Sequence, residues 1–70
     1  MKKQTFEIKG EYIELIKLLK ASGLCDMGSD AKFAVSNQQV KENGEIDTRL
    51  RAKIKLHDKV EFNGNLIEVM

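Results

Sequence analysis

A chain of 70 residues with one cysteine and one histidine has room for a single small domain, residues 1–70, whose one core leaves only marginal stability. Cys25 has no second thiol and His57 no second imidazole, which excludes an internal disulfide and leaves a structural zinc site, or another resident cofactor, without ligands. The formal net charge is only +1, unlike the strongly basic balance usual in nucleic-acid-binding domains.

No apolar run approaches the roughly 20 residues of a membrane span, and the N-terminal segment is too polar for a signal-peptide core. The expectation is a soluble, unprocessed, cytoplasmic protein with neither a membrane nor a small-molecule partner.

In chain order, Thr5 to Ile8 reads as a short strand. Gly10 then precedes EYIELIKLLKAS, where Tyr12, Leu15, Ile16 and Leu19 recur at helical spacing and define one apolar face. Glu11 and Glu14 lie near the positive end of this helix and Lys17 and Lys20 near its negative end, while Gly23 stands where a left-handed residue would stop it. The next segment, MGSDAKFAVSNQQ, predicts a shorter helix starting at Ser29 or Asp30, either of which can accept a hydrogen bond from an unpaired backbone N–H. Ala31, Ala34 and Val35 would face the first helix, with Lys32 and Ser36 on another side.

Beyond Val40 the chain changes character. Asn43-Gly44 and Asn63-Gly64 are the residue pairs that most readily supply the positive φ angles of a tight hairpin turn. In the second hairpin a two-residue loop would put Val60, Phe62, Ile67 and Val69 on one face and Glu61 and Glu68 on the other. In the first, the same loop opposes Glu42 to Glu45, a like-charge pair that argues for a different register. A helical first half and a stranded second half make an α+β fold: two packed helices followed by a small, mainly antiparallel sheet of hairpins.

Between the hairpins lies TRLRAKIKL, residues Thr48 to Leu56. If extended, it carries Arg49, Arg51, Lys53 and Lys55 on one face about 6.6 Å apart, and Leu50, Ala52, Ile54 and Leu56 on the other. Alternating charge on a strand is commonly just a solvated face. Here, however, the stretch from Arg49 to Lys59 has five cations against Asp58, a local +4 that leaves −3 for the rest of the chain. Such polarity can draw an anionic partner to one surface of a nearly neutral molecule.

Catalysis finds little footing. Cys25, His57 and Asp58 come nearest to a nucleophile with a base, but no spacing brings Cys25 to His57, and neither a glycine-rich phosphate loop nor a paired-carboxylate site occurs. The expectation is therefore no enzyme. Phe6, Phe33 and Phe62 could be stacking platforms, but aromatics so sparse are assigned to the core, and Tyr12 to packing on the helix face.

The order of elements from Tyr12 to Phe62 resembles the RNA-binding domain first known from the small-subunit ribosomal protein S-four, the alpha-L motif. The matching features are Ala31-Lys32 in the short helix, Val40 after the helix-to-strand turn, Asn43-Gly44, and Asp58 followed by Val60. Ala31-Lys32 together with Thr48-Arg49 resembles the stand-alone YbcJ-like members. Gln38 and His57 stand where that family has turn glycines, so adjusted turns are expected, and Met27 stands where its helix opens with serine, with Ser29 nearby.

The resemblance implies a surface that grips structured RNA: ribosomal RNA, transfer RNA or a ribosomal particle. The residues it implies are Lys32 on the helix, Gln39 and Lys41 at the helix-to-strand turn, and Arg49, Arg51 and Lys53 after the hairpin, with Lys55 at the margin. Arginine would grip phosphate with two donors and lysine as a compact charge, positioning a backbone rather than reading bases. The alternative is a protein–protein adaptor whose basic strip meets an acidic partner or whose sheet edge accepts a strand. Loss of RNA binding in the double variant Arg49→Glu, Arg51→Glu is the outcome that separates them.

Overall fold

Asn63 and Gly64 both adopt positive φ, 51° and 77°, and this turn joins strands β6 (Lys59–Phe62) and β7 (Asn65–Val69) in the expected register, with Val60 opposite Ile67. Val60, Ile67 and Val69 are fully buried and Phe62 packs against them, so strict alternation places one face of the hairpin in the core. The computed structural model describes residues 2–70.

Strand β1 (Lys2–Phe6) runs parallel to β7, Lys2 pairing with Asn65 and Phe6 with Val69. It lies N-terminal to the expected Thr5–Ile8 because pairing along the whole outer edge of β7 begins at the Asn63-Gly64 turn, where Lys2 N–H donates to the Gly64 carbonyl at 2.9 Å. Strand β3 (Val40–Glu42) flanks β6, and β4 (Glu45–Ile46) closes the far edge, giving the order β1-β7-β6-β3-β4.

The first helix departs most from expectation. Tyr12–Glu14 is not helical but a strand, β2, paired antiparallel with β5 (Lys53–Lys55) in a separate two-stranded ribbon. Helix α1 begins only at Leu15 and ends at Ala21. Its first N–H groups are capped by backbone from a distant part of the chain: Leu15 N–H donates to the Ala52 carbonyl at 2.9 Å and Ile16 N–H to the Leu50 carbonyl at 3.3 Å. Such groups must find acceptors somewhere, and here residues 50–52 supply them. The helix therefore starts where that loop passes, and Tyr12 is left exposed rather than packed. Gly23, at φ 83°, ends the helix as expected.

Helix α2 (Gly28–Ser36) starts ahead of the expected cap. Met27 occupies the cap position without a side-chain hydrogen bond, and Ser29 and Asp30 lie within the first turn. Ala31, Ala34 and Val35 are buried and pack with Leu15, Leu18 and Leu19 of α1 above Val40, Val60 and Ile67 of the sheet. Two small residues among the three buried on α2 let the helices approach closely. Phe33 is displaced outward and is 65% exposed, contrary to its assignment to the core.

Both turns that lack the family's glycine keep a glycine-like backbone. After α2, Gln38 has φ 60°. Gln38 N–H donates to the Val35 carbonyl and Gln39 N–H to the Ala34 carbonyl, the paired bonds of a Schellman termination. Between β5 and β6, His57 has φ 74°, and Asp58 ties this turn down by accepting the Lys55 N–H at 2.7 Å and the Asn43 side-chain amide at 3.2 Å. Both residues take the positive φ that glycine adopts most easily, so each turn carries a local conformational cost.

Candidate functional site

The alternation in TRLRAKIKL is only half a strand. Lys53–Lys55 pairs with β2, whereas residues 48–52 form a turn-rich loop. Leu50 is partly buried and Ala52 and Ile54 are buried, but Leu56 is 53% exposed because it lies beyond β5 in the turn preceding Asp58. Arg49, Arg51, Lys53 and Lys55 nonetheless line one shallow, open depression together with Ala52.

Within it the cations differ in their surroundings. The Arg49 guanidinium forks onto Asp47, Nε to Oδ1 at 3.1 Å and Nη2 to Oδ2 at 2.9 Å, while the Arg49 backbone N–H also donates to Oδ1 at 2.9 Å. Glu42 Oε2 lies 3.7 Å from the same Nη2. The bonds from Arg49 hold the Asp47 carboxyl far below its ordinary range despite burial. Burial, followed by the hydrogen bond and charge of Asp47, pushes Glu42 up to about 7. Two carboxyls and one guanidinium thus form a closed cluster at the base of the first hairpin. Asn43 and Gly44 at φ 52° and 88° keep the two-residue loop, so Glu42 and Glu45 do face each other and the register is not shifted.

The β2–β5 ribbon is different. Ile13 and Ile54 pair on its inner side, while Tyr12 pairs with Lys55 and Glu14 with Lys53 on its outer side. Lys53 Nζ lies 5.2 Å from the centre of the Tyr12 ring, within reach of a cation–π attraction. Glu14 has Lys17 Nζ at 3.3 Å, Arg51 Nε at 3.9 Å and Lys53 as its cross-strand partner. One carboxylate among three cations leaves positive charge uncompensated. Lys17 lies in α1 as expected and reaches Glu14 locally, three residues along the chain; Tyr12, expected on that helix, is brought beside Lys53 only by the pairing of β2 with β5, which no local pattern signals.

The remaining expected residues lie elsewhere. Lys41 is exposed between buried Val40 and half-buried Glu42, so it projects from the opposite face of β3 to Glu42 and its partner Arg49. With Gln39 it lines a separate hollow that also includes Glu61 and Asn63. Lys32 is exposed on α2.

The nearest approach to a catalytic set is dispersed in role. Burial raises the Cys25 thiol above its ordinary range, and Asp30 and Asp26 add to the effect; Asp58 is engaged in its turn. Among the described residues no group of three His, Cys, Asp or Glu side chains is placed to hold a metal, and no helix is long and apolar enough to cross a membrane.

Two short helices packed on a mixed sheet, with a basic ribbon beside the first hairpin, define an α+β fold of the alpha-L type. The chain belongs to the S4 domain family, whose sequence profile matches residues 6–70. It is 39% identical over 67 residues, 94% of this chain and 96% of the relative, to the "Putative RNA-binding protein YbcJ" of Escherichia coli (strain K12). The "Uncharacterized protein YbcJ" of Shigella flexneri matches to the same extent, 39% over 67 residues. The solution structure of YbcJ from E. coli, described as revealing an alfaL motif involved in RNA-binding, aligns with a TM-score of 0.74 at 39% identity, over 94% of this chain and 85% of that one.

Proposed function

We propose that this chain is a non-enzymatic, single-domain module that binds structured RNA, in the form of ribosomal RNA, transfer RNA or a ribosomal particle. The observation that supports it most is the outer side of the β2–β5 ribbon, where Arg51, Lys53 and Lys17 surround Glu14 and Lys55 stands opposite Tyr12, in a relative of the YbcJ proteins. Arg51 and Lys53 contact phosphates first, and Arg49 contributes through the donors that Asp47 does not use. Lys32, Gln39 and Lys41, which lie outside the ribbon, are assigned secondary contacts. A-form RNA offers side chains a phosphate ridge and a shallow groove, so recognition is by shape.

The test is binding of a labelled RNA hairpin as a function of salt. About four neutralised phosphates on the paired stem give a logarithmic slope near −3.6, or about 150-fold weaker binding between 50 and 200 mM salt. The double variant Arg51→Gln, Lys53→Gln should halve that slope and weaken binding about 60-fold at 100 mM salt, with an unchanged circular dichroism spectrum. It replaces the pair Arg49→Glu, Arg51→Glu, because a third carboxylate beside Asp47 and Glu42 would disrupt the hairpin. Unchanged RNA affinity in the folded variant would favour an adaptor for an acidic protein.

A further inference from the structure

We infer that Phe33 is a stacking platform for one unpaired base, which deepens the RNA-binding reading above and rests on it. Helix α2 buries Ala31, Ala34 and Val35 and presents its one large apolar side chain on the opposite side, 65% exposed. At 100° per residue, Phe33 points almost directly away from the mean direction of those three. Its neighbours one turn away are Ser29, Asp30, Ser36 and Asn37, all exposed and all too short to fold over a phenyl ring. Asn37 is drawn back further, its side-chain amide donating to the Phe33 carbonyl at 2.8 Å. The ring face stays open.

The surroundings favour a nucleobase over a protein. A protein anchor sits within a contiguous apolar patch, whereas this ring is framed by hydroxyls, a carboxylate and an amide. That frame suits a flat heterocycle whose edges carry donors and acceptors, while Lys32, next in the chain, supplies a cation for the adjoining phosphate. Packing does not account for the residue, since the alanines beside it already close the contact between the helices. The RNA bound would thus carry an unpaired nucleotide beside its helical part, in a loop, bulge or end.

The chain has no tryptophan, so Phe33→Trp introduces a single indole whose emission reports on stacking. Its fluorescence should be quenched by an RNA hairpin with an unpaired loop and unaffected by a fully paired duplex of the same length. Phe33→Ala should weaken loop-hairpin binding on the order of 10-fold or more, with no change in salt slope, because no charge is removed; Phe33→Tyr should restore it. Equal affinity of Phe33→Ala and the unmodified chain for the hairpin, or equal weakening toward duplex and hairpin, would overturn the inference while leaving RNA binding intact. Failure of the unmodified chain to bind either RNA would overturn the reading beneath it as well. Loss of self-association in Phe33→Ala at unchanged RNA affinity would assign the ring to a second copy of the chain.

Discussion

Arg49 and Arg51 are two residues apart in one basic run, and both side chains are largely exposed, 75% and 83%. Their electrostatic situations are opposite. Arg49 has given its fork to a buried aspartate with a glutamate close behind, whereas Arg51 reaches one carboxylate loosely, at 3.9 Å. Exposure therefore does not measure how much of a cation is available to a partner. What decides is whether the sheet carries acids to it, and the first hairpin does so at Glu42 and Asp47 while the β2–β5 ribbon supplies Glu14 alone to several cations.

The largest expected effect sharpens that contrast at the level of binding. Arg51→Gln should reduce the salt slope for an RNA hairpin by about 0.9, the share of one phosphate on a paired stem, whereas Arg49→Gln should reduce it by clearly less. Equal reductions would mean that Asp47 releases Arg49 when RNA arrives.

The contrast also predicts stability. Asp47→Ala removes three hydrogen bonds from Arg49 and should cost about 2 kcal/mol in denaturant unfolding. Neutralising Glu14 by Glu14→Gln, at a more open and looser site, should cost well under 1 kcal/mol. In hairpin titrations at low salt, Asp47→Ala should strengthen RNA binding, since Arg49 loses the carboxylate that holds its fork.

A third test uses pH. Glu42 is pushed up to about 7 in the folded chain, so between the ordinary glutamate range and pH 7 the folded state holds a proton that the unfolded state has lost. By linkage, this group makes stability fall as pH rises through that window. Asp47 works in the opposite sense and at lower pH: its depressed value adds stability that is present above the ordinary aspartate range and disappears as pH falls below it. Glu42→Gln should therefore flatten the decline in melting temperature from pH 5 to pH 8 and leave the acid-side loss in place.

A further test lies at a site outside both regions. Gln38→Gly relieves a left-handed conformation at the end of α2 and should raise stability by about 1 kcal/mol with RNA affinity unchanged. A change in affinity would show that the α2 turn is coupled to the basic ribbon.

What could be read without a structure was what short-range physics dictates. The Asn-Gly turns, the alternation of Val60, Ile67 and Val69, the small inner face of α2 and the stop at Gly23 all follow from backbone preference and burial over a few residues, and each was expected. The resemblance to the S4 family lay in the same short elements, in order. The basic run was visible as composition too.

Long-range pairing decided the rest. Tyr12–Glu14 is a strand instead of the first turn of a helix because β5 offers it a partner and residues 50–52 supply carbonyls to the helix that follows; local periodicity registers neither. Arg49 is engaged and Lys53 left open for a similar reason, since Asp47 and Glu42 approach Arg49 through the folding of the first hairpin. Phe33 is outside because two helices meet through alanines and leave a phenyl ring no space between them. Sequence determines which side chains are cationic or aromatic; tertiary contacts, which choose each one's neighbours, determine which of them remain free to meet another molecule.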